Sequence, residues 1–212
     1  MSTASDARFW DRSSQKYARS AIADPGGYER TLDRTRDLLE SGGRILELGC
    51  GTGTTALRLA GGVRSYLATD ISTEMIAIAA RKHADEPVPE LVFRTAIAES
   101  LAFDAPGFDA VLGFNYLHMV RDAPGTIRHI HTLLAPGGLF ISKTPCLGDM
   151  NPLIRLVLLP AMRAVGRAPH VTVFDAVELH RLISAAGFDI LATERHATRG
   201  RDTRPFIVAR KA

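Results

Sequence analysis

Short apolar runs alternate with helix-spaced ones along most of the chain. Arg44–Gly49 (RILELG), Ser65–Thr69 (SYLAT), Leu91–Thr95 (LVFRT), Ala110–Phe114 (AVLGF) and Leu139–Lys143 (LFISK) each have the length and apolar density of a buried strand. Helical periodicity fills about 53–61, 72–84 and 122–135 between them. Such alternation predicts right-handed βαβ units and a parallel sheet with helices on both faces.

Punctuation residues agree with these boundaries. Ser72 precedes the run containing Met75, Ile76 and Ile78, as a helix N-cap does. Pro136-Gly137-Gly138 stops the helix ending in Leu133-Leu134 and turns the chain toward the next strand. Asp175 caps a helix over Ala176–Ala186, with Glu178 at the capping-box position and Gly187 closing it. Asp189–His196 and Pro205–Lys211 are then two strand-like runs joined by polar Ala197–Arg204, which predicts an antiparallel hairpin at the sheet edge. The first 40 residues read as two helices, around Ala4–Ala18 and Tyr28–Glu40. No internal repeat or linker marks a second domain. The expected layout is a helical cap over 1–40, a sheet core over 41–143, a lid insertion over 144–174, and a C-terminal helix and hairpin over 175–212.

Composition narrows the class. With 46% hydrophobic and 23% charged residues the chain can bury a core and is not disordered by composition. The most apolar stretch, Leu153 to Val165, is broken by Arg155, Pro160 and Arg163, so no membrane-spanning helix and no stable membrane insertion are expected. The first residues carry Asp6, Arg8, Asp11 and Arg12 with no apolar run, so no secretory signal is expected, and Cys50 and Cys146 cannot form a disulfide framework or a zinc site by themselves. A cytoplasmic protein is the expectation. The net charge is +3, yet residues 195–212 hold six basic side chains against Asp202 alone, which leaves 20 basic and 22 acidic residues in the rest. A solvated hairpin accounts for that excess, and no nucleic-acid partner is expected from it.

The sharpest local signal is Ile45-Leu46-Glu47-Leu48-Gly49-Cys50-Gly51-Thr52-Gly53. A strand passes through three alternate glycines into a helix, a turn where a ligand can approach the backbone closely. Thr54 departs from the dinucleotide fingerprint G-x-G-x-x-G, and no G-K-[ST] follows to make a P-loop. Asp70 ends the second strand seventeen residues beyond Gly53, where a carboxylate can accept from both hydroxyls of a ribose. Ile71 and Met75 follow, placed to cover an adenine face. The bland readings are a tight turn for the glycines, a helix cap for Asp70 and core packing for Ile71 and Met75.

Taken together, these features resemble the class I S-adenosylmethionine (SAM) dependent methyltransferases over roughly residues 40–210. Glu47–Gly53 is similar to that family's first motif and Asp70 to its second-strand acid. Phe108–Val111, Leu133–Gly138 and Glu178–Phe188 match later landmarks in order. The nearest subgroup is the small-molecule enzymes that include those of quinone biosynthesis, whose N-terminal cap Phe9-Trp10-Asp11 and Tyr17 resemble. The resemblance implies a Rossmann-like seven-stranded, mostly parallel sheet with an antiparallel last strand. It implies SAM as cofactor and S-adenosylhomocysteine (SAH) as product. Gly49, Cys50 and Gly51 would line the methionine and ribose portion, Glu47 would hold the loop or face the SAM ammonium, and Asp70 would bind the ribose. Where the family often has Gly-Asp-Ala-Glu, this chain has Ala96-Ile97-Ala98-Glu99, so Ile97 and Ala98 would meet the adenine by apolar and backbone contact. Asn115 would face the methionine moiety with Tyr116.

Methyl transfer gains most from holding donor and acceptor near attack distance. Tyr17 is a candidate for positioning, since an aromatic ring meets a cation favourably, with helix packing as the alternative. For a hydroxyl acceptor His118 is the candidate general base, against the reading of a helix-face histidine without a chemical role; His170 and Tyr116 are second-line. His129 and His131, two apart, are a poor metal pair, and no metal is expected. Acceptor recognition falls to the N-terminal helices and to the insertion over 144–174, within which Asn151–Arg167 is suited to lid packing, an apolar pocket or a lipid surface. The expected function is SAM-dependent methylation of a small, partly apolar molecule. The alternatives are a silent SAM-binding or regulatory protein, and an RNA or protein methyltransferase of the same fold. Oligomeric state is not legible.

Overall fold

The structure, a computed structural model, describes residues 3–101, 107–149, 169–200 and 203–212. Within the expected lid insertion 144–174, the apolar segment Asn151–Arg167 lies outside the described residues.

Two helices open the chain, α1 (Thr3–Ala18) and α2 (Pro25–Leu38). Five strands follow with helices between them: β1 (Arg44–Leu48), α3 (Thr54–Leu59), β2 (Ser65–Asp70), α4 (Thr73–Asp85), β3 (Leu91–Thr95), β4 (Phe108–Phe114), α5 (Ala123–Leu133) and β5 (Leu134–Lys143). The last elements are α6 (Ala176–Ala185), β6 (Phe188–Glu194) and β7 (Phe206–Lys211). They form one seven-stranded sheet in the order β3-β2-β1-β4-β5-β7-β6. Pairings among β1 to β5 are all parallel, and β7 runs antiparallel to both β5 and β6. The expected hairpin is present, with β7 inserted inside β6.

The strands bury both faces, and the side-chain period of two sorts their residues between them. Leu46 and Leu48 of β1, Val111 of β4, Phe140 of β5 and Ile207 of β7 pack with Ile127 and Ile130 of α5 and Leu179 and Ile183 of α6. The intervening Ile45, Leu112, Ile141, Phe206 and Val208 pack with Leu32 of α2 and Ala56 and Leu59 of α3. Each fully buried Leu, Ile or Phe contributes about 1.5–3 kcal/mol, so these two layers set the sheet register.

Two element starts differ from the sequence expectation by three residues or more. Helix α2 begins at Pro25, three residues before Tyr28, because the Asp24 carboxylate caps it by accepting from the Gly27 N–H at 3.0 Å. A cap followed by proline outweighs the cost of Gly26 and Gly27. Strand β5 begins at Leu134, paired with Phe108, so Pro136-Gly137-Gly138 is an irregular segment within the strand rather than a turn before it. Helix α6 is capped as expected, with the Asp175 carboxylate accepting from the Glu178 N–H.

Strand order reverses between β1 and β4, whose connections lead away in opposite directions. A crevice opens at such a switch point, beyond the carboxyl ends of the strands. Helix α1 lies across it, because Asp11 accepts from the Ser72 hydroxyl at 2.7 Å and from the Glu74 N–H at 3.2 Å at the start of α4. Among the described residues no helix is long and apolar enough to cross a membrane.

Candidate functional site

The ends of β1, β2, β3 and β4 and the inner side of α1 enclose a cavity of about 890 Å³. Leu48, Gly49 and Gly51 border it from the first loop, Thr69, Asp70 and Ile71 from the second, and Ala96, Ile97 and Ala98 from the third. Phe114, Asn115, Tyr116, His118 and Met119 come from beyond β4, and Asp6, Trp10 and Tyr17 from α1.

The glycine turn is shaped by what a side chain would strike. Gly49 has φ +69°, and a Cβ there would sit 2.8 Å from Tyr116 Cδ2. Gly53, at φ +76°, would meet Phe93 at 2.7 Å and Ala79 at 2.8 Å. The first glycine therefore keeps the cavity open, and the third lets α3 pack close to β3 and α4. Asp70 fixes the turn from the next strand: one carboxylate oxygen accepts from the Gly51 N–H and the other from the Ser72 N–H, each at 2.9 Å. Each oxygen keeps a further lone pair for a ligand. Burial raises the Asp70 pKa above the ordinary carboxylate value. Behind the turn, the Lys82 ammonium donates to the Thr52 carbonyl and to the hydroxyls of Thr52 and Thr54 at 3.0–3.1 Å. Asn115 holds φ +51°, a left-handed conformation that asparagine tolerates better than most residues, while its N–H donates to the Lys143 carbonyl at 2.7 Å.

Of the residues singled out from sequence, Tyr17, Gly49, Gly51, Asp70, Ile71, Met75, Ile97, Ala98, Asn115 and His118 all border this cavity. Glu47 and Cys50 do not. Glu47 shares the parity of Ile45, so its side chain enters the opposite layer, where it is 2% exposed and accepts from the Tyr66 hydroxyl at 2.8 Å. Burial there pushes its pKa up to about 7. This corrects the expectation that it faces a SAM ammonium. The Cys50 N–H is spent on the Thr69 carbonyl at 2.9 Å, and its thiol packs in the same layer as Tyr66. Lys143 turns to the Thr31 hydroxyl on α2 at 2.7 Å instead of toward the cavity.

His118 lies in a short 3-10 turn, Leu117–Met119, and is 5% exposed. Its Nδ1 is 3.0 Å from the Thr144 hydroxyl, and burial lowers its pKa to about 4. An imidazole held weakly basic by burial takes a proton from a hydroxyl poorly near neutral pH, which weighs against the general-base expectation.

Asp6 and Arg121 border the cavity although sequence does not single them out as site residues, whereas Trp10 and Glu99 lie in stretches already noted. Arg121 donates from Nε and Nη2 to the two carboxylate oxygens of Asp6, both at 2.8 Å, tying α1 to the loop before α5. Glu99 accepts from the Thr126 hydroxyl. The Trp10 ring meets Phe9 and Tyr17 edge-on, at 5.3 and 6.2 Å between centroids. Asp6 and Arg121 are 115 positions apart, and no local pattern announces such a pair; Glu99 lies in a 3-10 turn, Ala98–Ser100, and Thr126 in the first turn of α5. Asp6, Asp70, Glu99 and Asp122 against Arg121 give the cavity an acidic lining that suits a cation.

A family described as "Methyltransferase domain" matches residues 15–193. The zebrafish (Danio rerio) protein named "Arginine-hydroxylase NDUFAF5, mitochondrial" is 32% identical over 190 residues, 87% of this chain and 55% of that protein. A "Ubiquinone biosynthesis O-methyltransferase" of Methylocella silvestris is 37% identical over 101 residues, 48% of this chain and 39% of that one. The chain thus spans about half the length of the curated relatives it matches. Among solved structures, magnesium protoporphyrin IX methyltransferase from Synechocystis PCC 6803 with bound SAH superposes with a TM-score of 0.71 at 18% identity, over 98% of this chain and 96% of that one.

Proposed function

Because the chain belongs to the class I SAM-dependent methyltransferase family, we propose that it methylates a small, partly apolar organic acceptor in the cavity beneath α1. The observation that carries this reading is the enclosure of the cavity: a glycine turn and a carboxylate on one side, aromatic α1 residues on the other. SAM fits the residues present, since Gly49 leaves room that a Cβ would fill and the acidic lining suits a cation. When bound, SAM supplies an electrophilic methyl group on a sulfonium.

In this reading Asp70 holds the ribose hydroxyls with its spare lone pairs. Ile71, Met75, Ile97 and Ala98 form the apolar wall for adenine. Gly49, Gly51 and Asn115 border the methionine portion, and Tyr17 with Trp10 covers the reacting end and excludes water. An acceptor of a few rings' size is favoured because α1, pinned at Asp6 and Asp11, lies over the cavity. The proposed setting is cytoplasmic, and neither nucleic acid nor membrane is a proposed partner.

A second reading has one observation in its favour: the zebrafish relative, matched over 87% of this chain, is named for arginine hydroxylation. Calorimetry with SAM and SAH, followed by mass spectrometry on small phenolic and quinonoid acceptors and on an arginine-rich peptide, separates the readings. Binding of SAM with a 14-dalton gain (about one CH₂, as methyl transfer requires) on a small acceptor supports the proposal. A 16-dalton gain (about one oxygen atom) on the peptide alone overturns it.

A further inference from the structure

The protonation state of the His118 ring can be read from the hydrogen bonds around Thr144. Thr144 is fully buried, and its hydroxyl oxygen accepts from the backbone N–H of His118 at 3.3 Å. The hydroxyl has one proton to place, and among the described residues the acceptor within reach is His118 Nδ1, 3.0 Å away. If Nδ1 carried the proton instead, the oxygen would face two donors and its own O–H would be buried without an acceptor, at a cost of about 1–3 kcal/mol. The Thr144 hydroxyl therefore donates to Nδ1, which puts the ring proton on Nε2. The backbone holds this arrangement, because the His118 carbonyl accepts from the Thr172 N–H at 2.7 Å. The ring borders the cavity, and Nε2 makes no hydrogen bond among the described residues.

We propose that His118 presents an Nε2–H donor to the cavity, and that the acceptor is an oxygen compound already ionised near neutral pH, such as a hydroxyquinone or another acidic enol. This rests on the methyltransferase reading for the presence of an acceptor. Among the described residues the rest of the lining offers no carboxylate left over as a base, since each is engaged by the chain. Asp6 holds Arg121, Glu99 accepts from Thr126, Asp122 caps Gly125, and Asp70 holds Gly51 and Ser72. His129 spends Nε2 on the Leu101 carbonyl, and burial raises the Tyr17 and Tyr116 hydroxyls above their ordinary pKa. A catechol or simple alcohol would have to surrender a proton during transfer. An enolate does not: its oxygen lone pair forms the C–O bond, the C–S bonding pair stays on sulfur, and the two charges cancel. The Nε2–H bond then fixes the oxygen and offsets the loss of its hydration.

The first test needs no turnover. Nitrogen-15 NMR of the full chain labelled at histidine, with SAH present, should show His118 with Nε2 protonated and Nδ1 bare from about pH 8 to about pH 5, below the range of an ordinary histidine. The Thr144→Val chain should lose that preference. A bare Nε2, or an imidazolium over that range, overturns the proposal. The second test compares methylation of 2-hydroxy-1,4-naphthoquinone and catechol. The naphthoquinone should be preferred at least about 10-fold, with His118→Gln, which keeps an N–H donor, losing less than His118→Ala by about 10-fold. Preference for catechol, or methylation of neither probe, overturns the acceptor class. Failure to bind SAM by calorimetry would instead remove the methyltransferase reading.

Discussion

Arg121 and Asp6 form a two-pronged ion pair, with both bonds at 2.8 Å, that ties the cap helix to the loop before α5. Both residues border the cavity, so the pair closes one side of its mouth. The side chains are 32% and 15% exposed, which puts the pair at about 1 kcal/mol. Asp6→Asn should leave the melting temperature within about 2 °C while α1 amides exchange about fivefold faster. Hydrogen exchange read by mass spectrometry checks this, and unchanged protection of α1 would show that the pair holds nothing closed.

Asp70→Ala removes more than a ribose partner, because the Gly51 and Ser72 amides lose their acceptor as well. SAM affinity should fall by about 10- to 100-fold, the scale of charged hydrogen bonds, with a stability loss of about 1–3 kcal/mol. Calorimetry and thermal melts read the two effects separately. Unchanged affinity would remove Asp70 from the site.

Two buried groups should tilt stability in opposite directions with pH. Glu47 is raised from 4.5 to about 7, so the folded chain holds a proton the unfolded chain has released. Its contribution is full below about 4.5 and lost as pH rises through about 7. His118 is lowered from 6.5 to about 4, so the unfolded chain binds the proton first, and its contribution is lost as pH falls from 6.5 toward 4. Glu47→Gln should therefore raise stability at about pH 8 by roughly 1–3 kcal/mol, and His118→Gln should flatten the acid limb. Urea melts across the range decide this; parallel curves for Glu47→Gln and the parent chain would reject the assignment.

The Lys82 ammonium makes three hydrogen bonds to the back of the glycine turn without bordering the cavity. Lys82→Met keeps its aliphatic stem and should weaken SAM binding by about 3- to 10-fold, with partial recovery in Lys82→Arg. Gly49→Ala should do worse, since a Cβ meets Tyr116 at 2.8 Å where φ is +69°. A Gly49→Ala chain that binds SAM as the parent does would mean that the turn does not meet the cofactor.

The parts of the fold legible in sequence are those written locally. The five core strands, the glycine turn and Asp70 lie within stretches of a few dozen residues, and their spacing is fixed by a strand and a turn. Glu47 falls inside the glycine-turn motif, yet its parity with Ile45 on β1 points it into the other layer. The start of β5 at Leu134 depends on Phe108 as a partner, which periodicity cannot supply. Asp6 with Arg121 and Thr144 with His118 join positions 115 and 26 residues apart. Such contacts follow from the sheet order, and that order is known only once the strands have paired.

The place of β7 also orders events during synthesis. Among the described strands β6 pairs with β7 alone, and β7 is made after it. When β6 leaves the ribosome, the open edge of β5 is already present, parallel to it and unpaired. The chain must leave that edge vacant until a strand of opposite direction arrives to fill it. Hydrophobic Phe188 and Ile190 are thus exposed to wrong pairing for as long as β7 takes to emerge.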